Sequence, residues 1–486
     1  MNKILLLLLT ISTNLAFSQP TEKRIQNVEN GLMLPTILTQ KNEAGHKNIL
    51  QKLKEHKVNG ISVAVIHNGK LDWTKAYGVA NADTKEPVTT NTLFQCASIS
   101  KIITAIAALK LVENGLLSLD ENVNNKLKRW KLKENDNTKA QSVSLRHLLS
   151  HSAGLTDEYG FLGYDPKNKI PTLLEILNNE RPSNAKKALA VNAVPGEKEM
   201  YSGGGYLIVQ LLIEDLTEMS FADYVQQQVF EVLQMTNTTY SNQPDISLGR
   251  PIATGHRSNG KTYKNKKYHI YPEKAAAGPW TTAEDLAKLV IAIQSAINKQ
   301  DKAILNQELI TEFITPQINQ KGLGNNLKGI EKPKAFWHSG QNLGFTGLLY
   351  GLIEEGEGAI VLVNSEGGEI LIQEFITSVA NAYDWPVMKS YDALEISERL
   401  KSQLVGSYEN SNQQKNFSIE QKNHKLMMKS ASSKGSFQLY RIGENRYTFK
   451  DAQDYYKLVF KFKNEKVVSL MYNESIGKTI ELKKLE

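Results

Sequence analysis

Residues 93–117 read LFQCASISKIITAIAALKLVENGLL. Ser98 and Lys101 stand three positions apart here, and Ile102, Ile103, Ile106, Leu109 and Val112 follow at helical spacing. The pattern predicts a helix that begins near Ser98 and stops at Asn114-Gly115. Residues three apart on a helix share a face, so the Lys101 amine can reach the Ser98 hydroxyl. Free serine is a poor nucleophile. It needs a base for its proton and donors for the oxyanion that develops. A desolvated lysine can serve as the base, and the Ser98 amide, close to a helix N-terminus, is suited to an anion. Cys96 lies two residues earlier and reads as a small buried side chain beneath the helix start rather than as a thiol nucleophile.

Two further stretches supply partners. In VPGEKEMYSGGGYLIVQLLIEDL, residues 194–216, Pro195-Gly196 makes a turn and Tyr201 follows. A helix with Leu207, Leu211 and Leu212 on one face is expected after the glycines. A tyrosine at this point can share a proton relay with Lys101. In FWHSGQNLGFTG, residues 336–347, His338-Ser339-Gly340 falls on an expected strand, where Gly340 would admit a substrate backbone at close range.

The surrounding pattern places these stretches in a fold. GISVAVIHNGKLDWTKAYGVAN, residues 60–81, alternates on both sides of Asn68-Gly69, which predicts a hairpin with a type I′ turn. Strand patterns return at 345–366, and 369–385 reads as an amphipathic helix. Between about 120 and 330 the patterns are helical, with polar loops; Thr281 or Thr282 caps one helix there. One sheet built from both ends of this region, with a helical part inserted, is the economical arrangement. From about residue 405 the chain changes to eight short β-rich runs, which predict a small all-β domain, barrel-like and lipocalin-like. The expected division is a leader at 1–18, a main domain at 25–385, a linker at 386–400 and the β domain at 401–486.

Composition sets the remaining bounds. The chain has 486 residues, 41% hydrophobic and 22% charged, enough to bury a large core. MNKILLLLLTISTNLAFSQP reads as a secretory signal, so the protein is expected to be exported, periplasmic or secreted. Cys96 is the only cysteine, which leaves no internal disulfide and no cysteine-based metal site. The net charge of +7 is concentrated in part at residues 255–274, read as a solvated loop; an anionic wall polymer is a conceivable partner. No nucleic-acid motif accompanies the charge. His147 and His151 lie four apart, but Leu148 stands where a metal-binding H-E-x-x-H helix would carry glutamate, and they read as helix-packing residues.

The order S-x-x-K, then Y-x-x, then H-S-G resembles the serine β-lactamase and penicillin-binding protein superfamily, most closely class C β-lactamases and related esterases and D-peptidases. The resemblance covers roughly residues 30–385 and includes LLSHSAGL at 148–155, AAAGPWTTAEDLAK at 275–288 and HSGQNLGF at 338–345. It implies an α+β fold: a β-lactamase/transpeptidase-like antiparallel sheet flanked by helices, plus a helical domain. It implies Ser98 as the acylated nucleophile, with Lys101 and Tyr201 as its base. It also implies His338 as a pocket residue, and the amides of Ser98 and Gln341 as the oxyanion hole beside Gly340. No metal or organic cofactor is expected. The superfamily's Y-x-N asparagine, which bonds the substrate amide and the lysine, falls at Gly203. His338 replaces a lysine and carries no charge near neutral pH. Both departures point to an ester, amide or D-amino acid peptide substrate. The alternatives are a true β-lactamase or D,D-carboxypeptidase, and a non-catalytic binder of wall peptides or of a protein.

Overall fold

The computed structural model describes residues 21–35, 37–38, 47–155, 161–185, 187–263, 267–299, 304–329, 332–410, 415–430, 435–449, 458–475 and 478–485. The expected leader at 1–18 lies outside them. The chain divides into two compact units, one of residues 49–327 and 335–372, the other of 1–48, 328–334 and 373–486.

The sheet is built from β1 (Gly60–His67), β2 (Lys70–Gly78), β3 (Asn326–Gly329), β4 (Pro333–Asn342), β5 (Phe345–Leu352) and β6 (Gly358–Val363), in the order β2-β1-β6-β5-β4-β3. Neighbours from β2 through β4 pair antiparallel. Both ends of the region thus meet in one sheet, as the alternation predicts. Asn68 and Gly69 have φ of 53° and 69°, the two positive values a type I′ turn requires. Strands β5 and β6 are buried along their whole length, which explains their continuous apolar runs.

Three helices matter to the site: α1 (Ser100–Glu113), α2 (Gly203–Thr217) and α3 (Ala283–Ile297). Of the two candidate caps for α3, Thr282 is the one used, and its side chain accepts from the Asp285 amide. Helix α1 ends at Asn114, with Gly115 at φ 70°. Every residue from Ser100 to Leu109 is buried, Lys101 among them. Its alanines and threonine are small enough to be enclosed on the sides that the isoleucines leave. Helix α2 starts at Gly203 rather than after the glycines, because Ser202 caps it by accepting from the Gly205 amide at 3.1 Å. No helix among the described residues is long and apolar enough to cross a membrane.

In the second unit, α4 (Glu369–Ala382) is followed by α5 (Glu398–Leu404) and eight strands. These are β7 (Gly406–Asn410), β8 (Lys415–Lys422), β9 (Lys425–Ser430), β10 (Ser436–Arg441), β11 (Arg446–Phe449), β12 (Leu458–Lys463), β13 (Lys466–Ser475) and β14 (Lys478–Lys484). They close into an antiparallel barrel through β7 and β14. Tyr408, Tyr447, Leu458, Phe460 and Leu482 share its buried core, and Leu404 of α5 joins them, its carbonyl accepting from the Tyr408 hydroxyl at 2.7 Å. The stretch 386–400 carries a short strand, Tyr391–Asp392, paired in parallel with Ile37–Leu38, and the start of α5.

Candidate active site

Ser98 sits in a 3-10 turn, Ala97–Ile99, just ahead of α1, so the helix begins slightly later than the periodicity suggests. Ala97 has φ 49°, a left-handed conformation uncommon for a residue with a Cβ. Such local strain persists only where the surroundings hold it, and it lifts Ser98 out of the helix ladder. Those surroundings are visible. Ser100 Oγ donates to Lys274 O at 2.8 Å, Thr104 Oγ1 to Ala275 O at 2.8 Å, and Lys101 Nζ to Ala276 O at 3.0 Å. The first turn of α1 is thereby fastened to the backbone of residues 274–276, and the buried Lys101 amine keeps a fixed direction.

Lys101 Nζ lies 3.0 Å from Ser98 Oγ, and the Tyr201 hydroxyl lies 3.0 Å from the same oxygen. The amine also stands 5.0 Å from the centre of the Tyr201 ring. Two groups, one from the next turn of the chain and one a hundred residues on, therefore converge on one serine oxygen. Tyr201 is held from behind by His151. Their rings are 4.2 Å apart, and His151 Nδ1 accepts from the Ser202 amide at 3.0 Å. That bond fixes the neutral tautomer with the proton on Nε2.

His338 is buried on β4, and its ring centre is 6.3 Å from that of Tyr201. Its Nδ1 donates to Ser339 O. Burial first, then the neighbouring Lys101 and Lys321 side chains, hold its pKa down at about 3, so the ring is neutral. Gly340 lies against the turn that carries the nucleophile. A Cβ there would lie 2.2 Å from Cys96 O and 3.0 Å from Ser98 N. The strand approaches the nucleophile's own backbone at this point. Gly203 is buried at the first turn of α2.

Several residues escaped the sequence reading or were misread. His151 is not a helix-packing residue: the helix ends at Leu149, and His151 has φ 58°, which turns its ring onto Tyr201. His147 stays in the helix and takes part in its capping box with Ser144. The segment 255–274 is not simply a solvated loop. His256 is fully buried, donating through Nδ1 to Asn364 O at 2.7 Å, and His269 and Tyr271 are also buried, while Lys261 and Lys267 remain exposed. Lys321 was not singled out, yet its ammonium lies 5.7 Å from the Tyr201 ring centre and 3.3 Å from Glu199. Cys96 is buried, and burial pushes its thiol up to about 12, which keeps it protonated.

The two histidines imply a pH dependence. Burial, aided by the nearby lysines, also holds His151 well below the usual histidine range. In the unfolded chain both rings titrate near about 6.5. The unfolded state therefore binds more protons below that pH, so stability is fully present above about 6.5 and is lost as pH falls toward 3. Urea unfolding between pH 7 and 4 should show a declining midpoint, and His338→Asn should make the decline shallower by up to about 1.4 kcal/mol per pH unit. An unchanged slope in that variant would remove His338 as a cause.

Comparison with known proteins places the chain in a family. A sequence model of the family described as Beta-lactamase matches residues 46–374. A penicillin-binding protein of Bacillus subtilis (strain 168) is 26% identical over 382 residues, covering 73% of this chain and 80% of that protein. The octameric penicillin-binding protein homologue from Pyrococcus abyssi shares the fold at a TM-score of 0.54 and 22% identity, over 90% of this chain and 97% of its own. The D-amino acid amidase from Ochrobactrum anthropi SV3 does so at 0.55 and 22%, over 69% and 97%. With the sequence model spanning most of the chain, and the mixed fold of antiparallel sheet and helices in place, the chain belongs to the Beta-lactamase family, whose members are serine hydrolases.

Proposed function

We propose that the protein is an exported serine hydrolase that forms an acyl-enzyme at Ser98 and releases it with water, acting on an ester, an amide or a D-amino acid peptide. The observation that carries this reading is the placement of Lys101 Nζ and the Tyr201 hydroxyl at 3.0 Å from one serine oxygen. The export half of the reading rests on the leader pattern of residues 1–18 alone.

The chemistry follows from that placement. The Ser98 hydroxyl proton passes to whichever of the Lys101 and Tyr201 groups is in its basic form. The freed oxygen bonds to the substrate carbonyl carbon, and the negative charge on the carbonyl oxygen is met by the Ser98 and Gln341 amides. Collapse breaks the bond to the leaving nitrogen or oxygen, which takes the proton back from the same relay. Water then gives a proton to the relay as its oxygen bonds to the acyl carbon; collapse breaks the bond from that carbon to Ser98 Oγ, releases the acid, and Ser98 Oγ takes the proton back from the relay.

Two features support the substrate class. His338 presents a neutral ring, and position 203 presents no side chain, so a β-lactam carboxylate and amide each lose a partner that the superfamily pattern supplies. Activated esters and D-configured amides should be turned over with a higher kcat/KM than a chromogenic cephalosporin. The reverse order would remove the substrate assignment. The acyl-enzyme is tested directly: a fluorophosphonate should label the protein, and peptide mass mapping should place the adduct on Ser98. Labelling that persists in Ser98→Ala would overturn the reading.

A further inference from the structure

Position 203 is not merely empty. The ring of Phe161 occupies the space that a side chain there would take: a Cβ on Gly203 would lie 2.3 Å from Phe161 Cε2 and 2.5 Å from Cζ. The same short segment also reaches Tyr271. A Cβ on Gly163 would lie 2.8 Å from Tyr271 Cζ. The Tyr271 hydroxyl accepts from the Leu343 amide at 2.9 Å, just beyond Gly340 and Gln341. Tyr164 pairs with Ile270 through backbone bonds in both directions, each 2.8 Å. Residues 161–164 are thus held between the first turn of α2, beside Tyr201, and the end of β4, beside the Gln341 amide. On the Ser98 reading, a substrate carbonyl bonded to Ser98 and facing the Gln341 amide would stand near both elements. Phe161 is half-buried.

We propose that Phe161 is a specificity-determining residue, an aromatic wall of the pocket for the side chain of the acyl group. It selects D-aminoacyl groups with an aromatic or large apolar side chain over small ones. The inference rests on the Ser98 reading given above. Its physical basis is the replacement of a polar surface at the start of α2 by a ring that offers stacking and apolar contact. A site lined this way gains little from a methyl group and much from a ring.

D-Phenylalaninamide and D-alaninamide test this cleanly, because ammonia leaves in both and only the acyl side chain differs. The unmodified enzyme should prefer the phenylalanine amide in kcat/KM. Phe161→Ala should lower that preference by roughly tenfold or more, the scale on which apolar pockets discriminate, with Phe161→Leu in between. Gly203→Asn should impair the enzyme strongly when Phe161 is present and much less in the Phe161→Ala background, because the two side chains compete for one space. An unchanged preference in Phe161→Ala, a preference for the alanine amide in the unmodified enzyme, or additive effects of the two substitutions would each overturn the proposal. Failure of the Ser98 reading shows separately, as amide hydrolysis that survives in Ser98→Ala.

Discussion

Turnover should fall by about 10²–10⁴-fold when Tyr201 is replaced by phenylalanine or Lys101 by methionine, the range typical of a lost general base. Tyr201→Phe is the sharper test. It deletes one oxygen and leaves the ring that stacks on His151 at 4.2 Å. Any loss then belongs to the 3.0 Å contact with Ser98 Oγ and not to packing. Lys101→Met keeps the length and apolar bulk of the side chain but removes the amine that bonds both Ser98 Oγ and Ala276 O. The carbonyl of Ala276 is then left without that donor, so a stability cost of about 1–3 kcal/mol accompanies the catalytic loss. The two substitutions should be strongly non-additive, since both groups serve one proton transfer and the first loss disables it. Both kcat and kcat/KM should drop together, because the relay acts only as the new bond forms. Single-turnover acylation measured by rapid quench gives the check. A Tyr201→Phe enzyme that acylates within a few-fold of the unmodified rate would take the hydroxyl out of the mechanism.

How much of this arrangement could be read without coordinates depended on whether its cause was local. The hairpin at Asn68-Gly69 was legible because two consecutive positive φ values need residues that tolerate them. The barrel was legible because each strand announces itself by alternation and turn residues, and the eight runs became eight strands. Ser98, Lys101 and Tyr201 were legible as a set, since their chemistry restricts residue type. What failed has tertiary causes. The role of His151 depends on a left-handed turn after a short helix, and nothing in RHLLSH marks that turn. Phe161 and Gly203 lie forty-two positions apart, and neither residue names the other. The buried run His269 to Tyr271 was masked by neighbouring lysines, because composition averages over side chains that point in opposite directions.

Gly340→Ala should be the most damaging single methyl group that can be added to this site. The new Cβ would meet Cys96 O at 2.2 Å, Ser98 N at 3.0 Å and Ala97 Cβ at 3.1 Å. The first two are backbone atoms, so no side-chain rotation relieves them. Strand β4 cannot simply back away. Gly340 pairs with Gly347 on β5, β5 is itself paired to β6, and both of those strands are buried throughout. On the other side, the turn holding Ser98 is fastened through Ser100, Lys101 and Thr104 to the carbonyls of Lys274, Ala276 and Ala275. The displacement is therefore forced into Cys96–Ser98, where Ala97 is already strained at φ 49°. A shift of about 1 Å there costs on the order of 10²-fold in rate by misalignment alone. Disturbing an oxyanion donor adds a loss of about 10²–10³-fold. Overpacking should also lower stability by about 1–3 kcal/mol, which urea unfolding would register. Gly435→Ala is the matched control, since a Cβ there meets nothing within 4 Å. Its stability should stay within about 0.5 kcal/mol of the unmodified protein. A Gly340→Ala protein that is labelled at Ser98 and turns over esters at an ordinary rate would show that the approach of β4 to the nucleophile plays no part in positioning it.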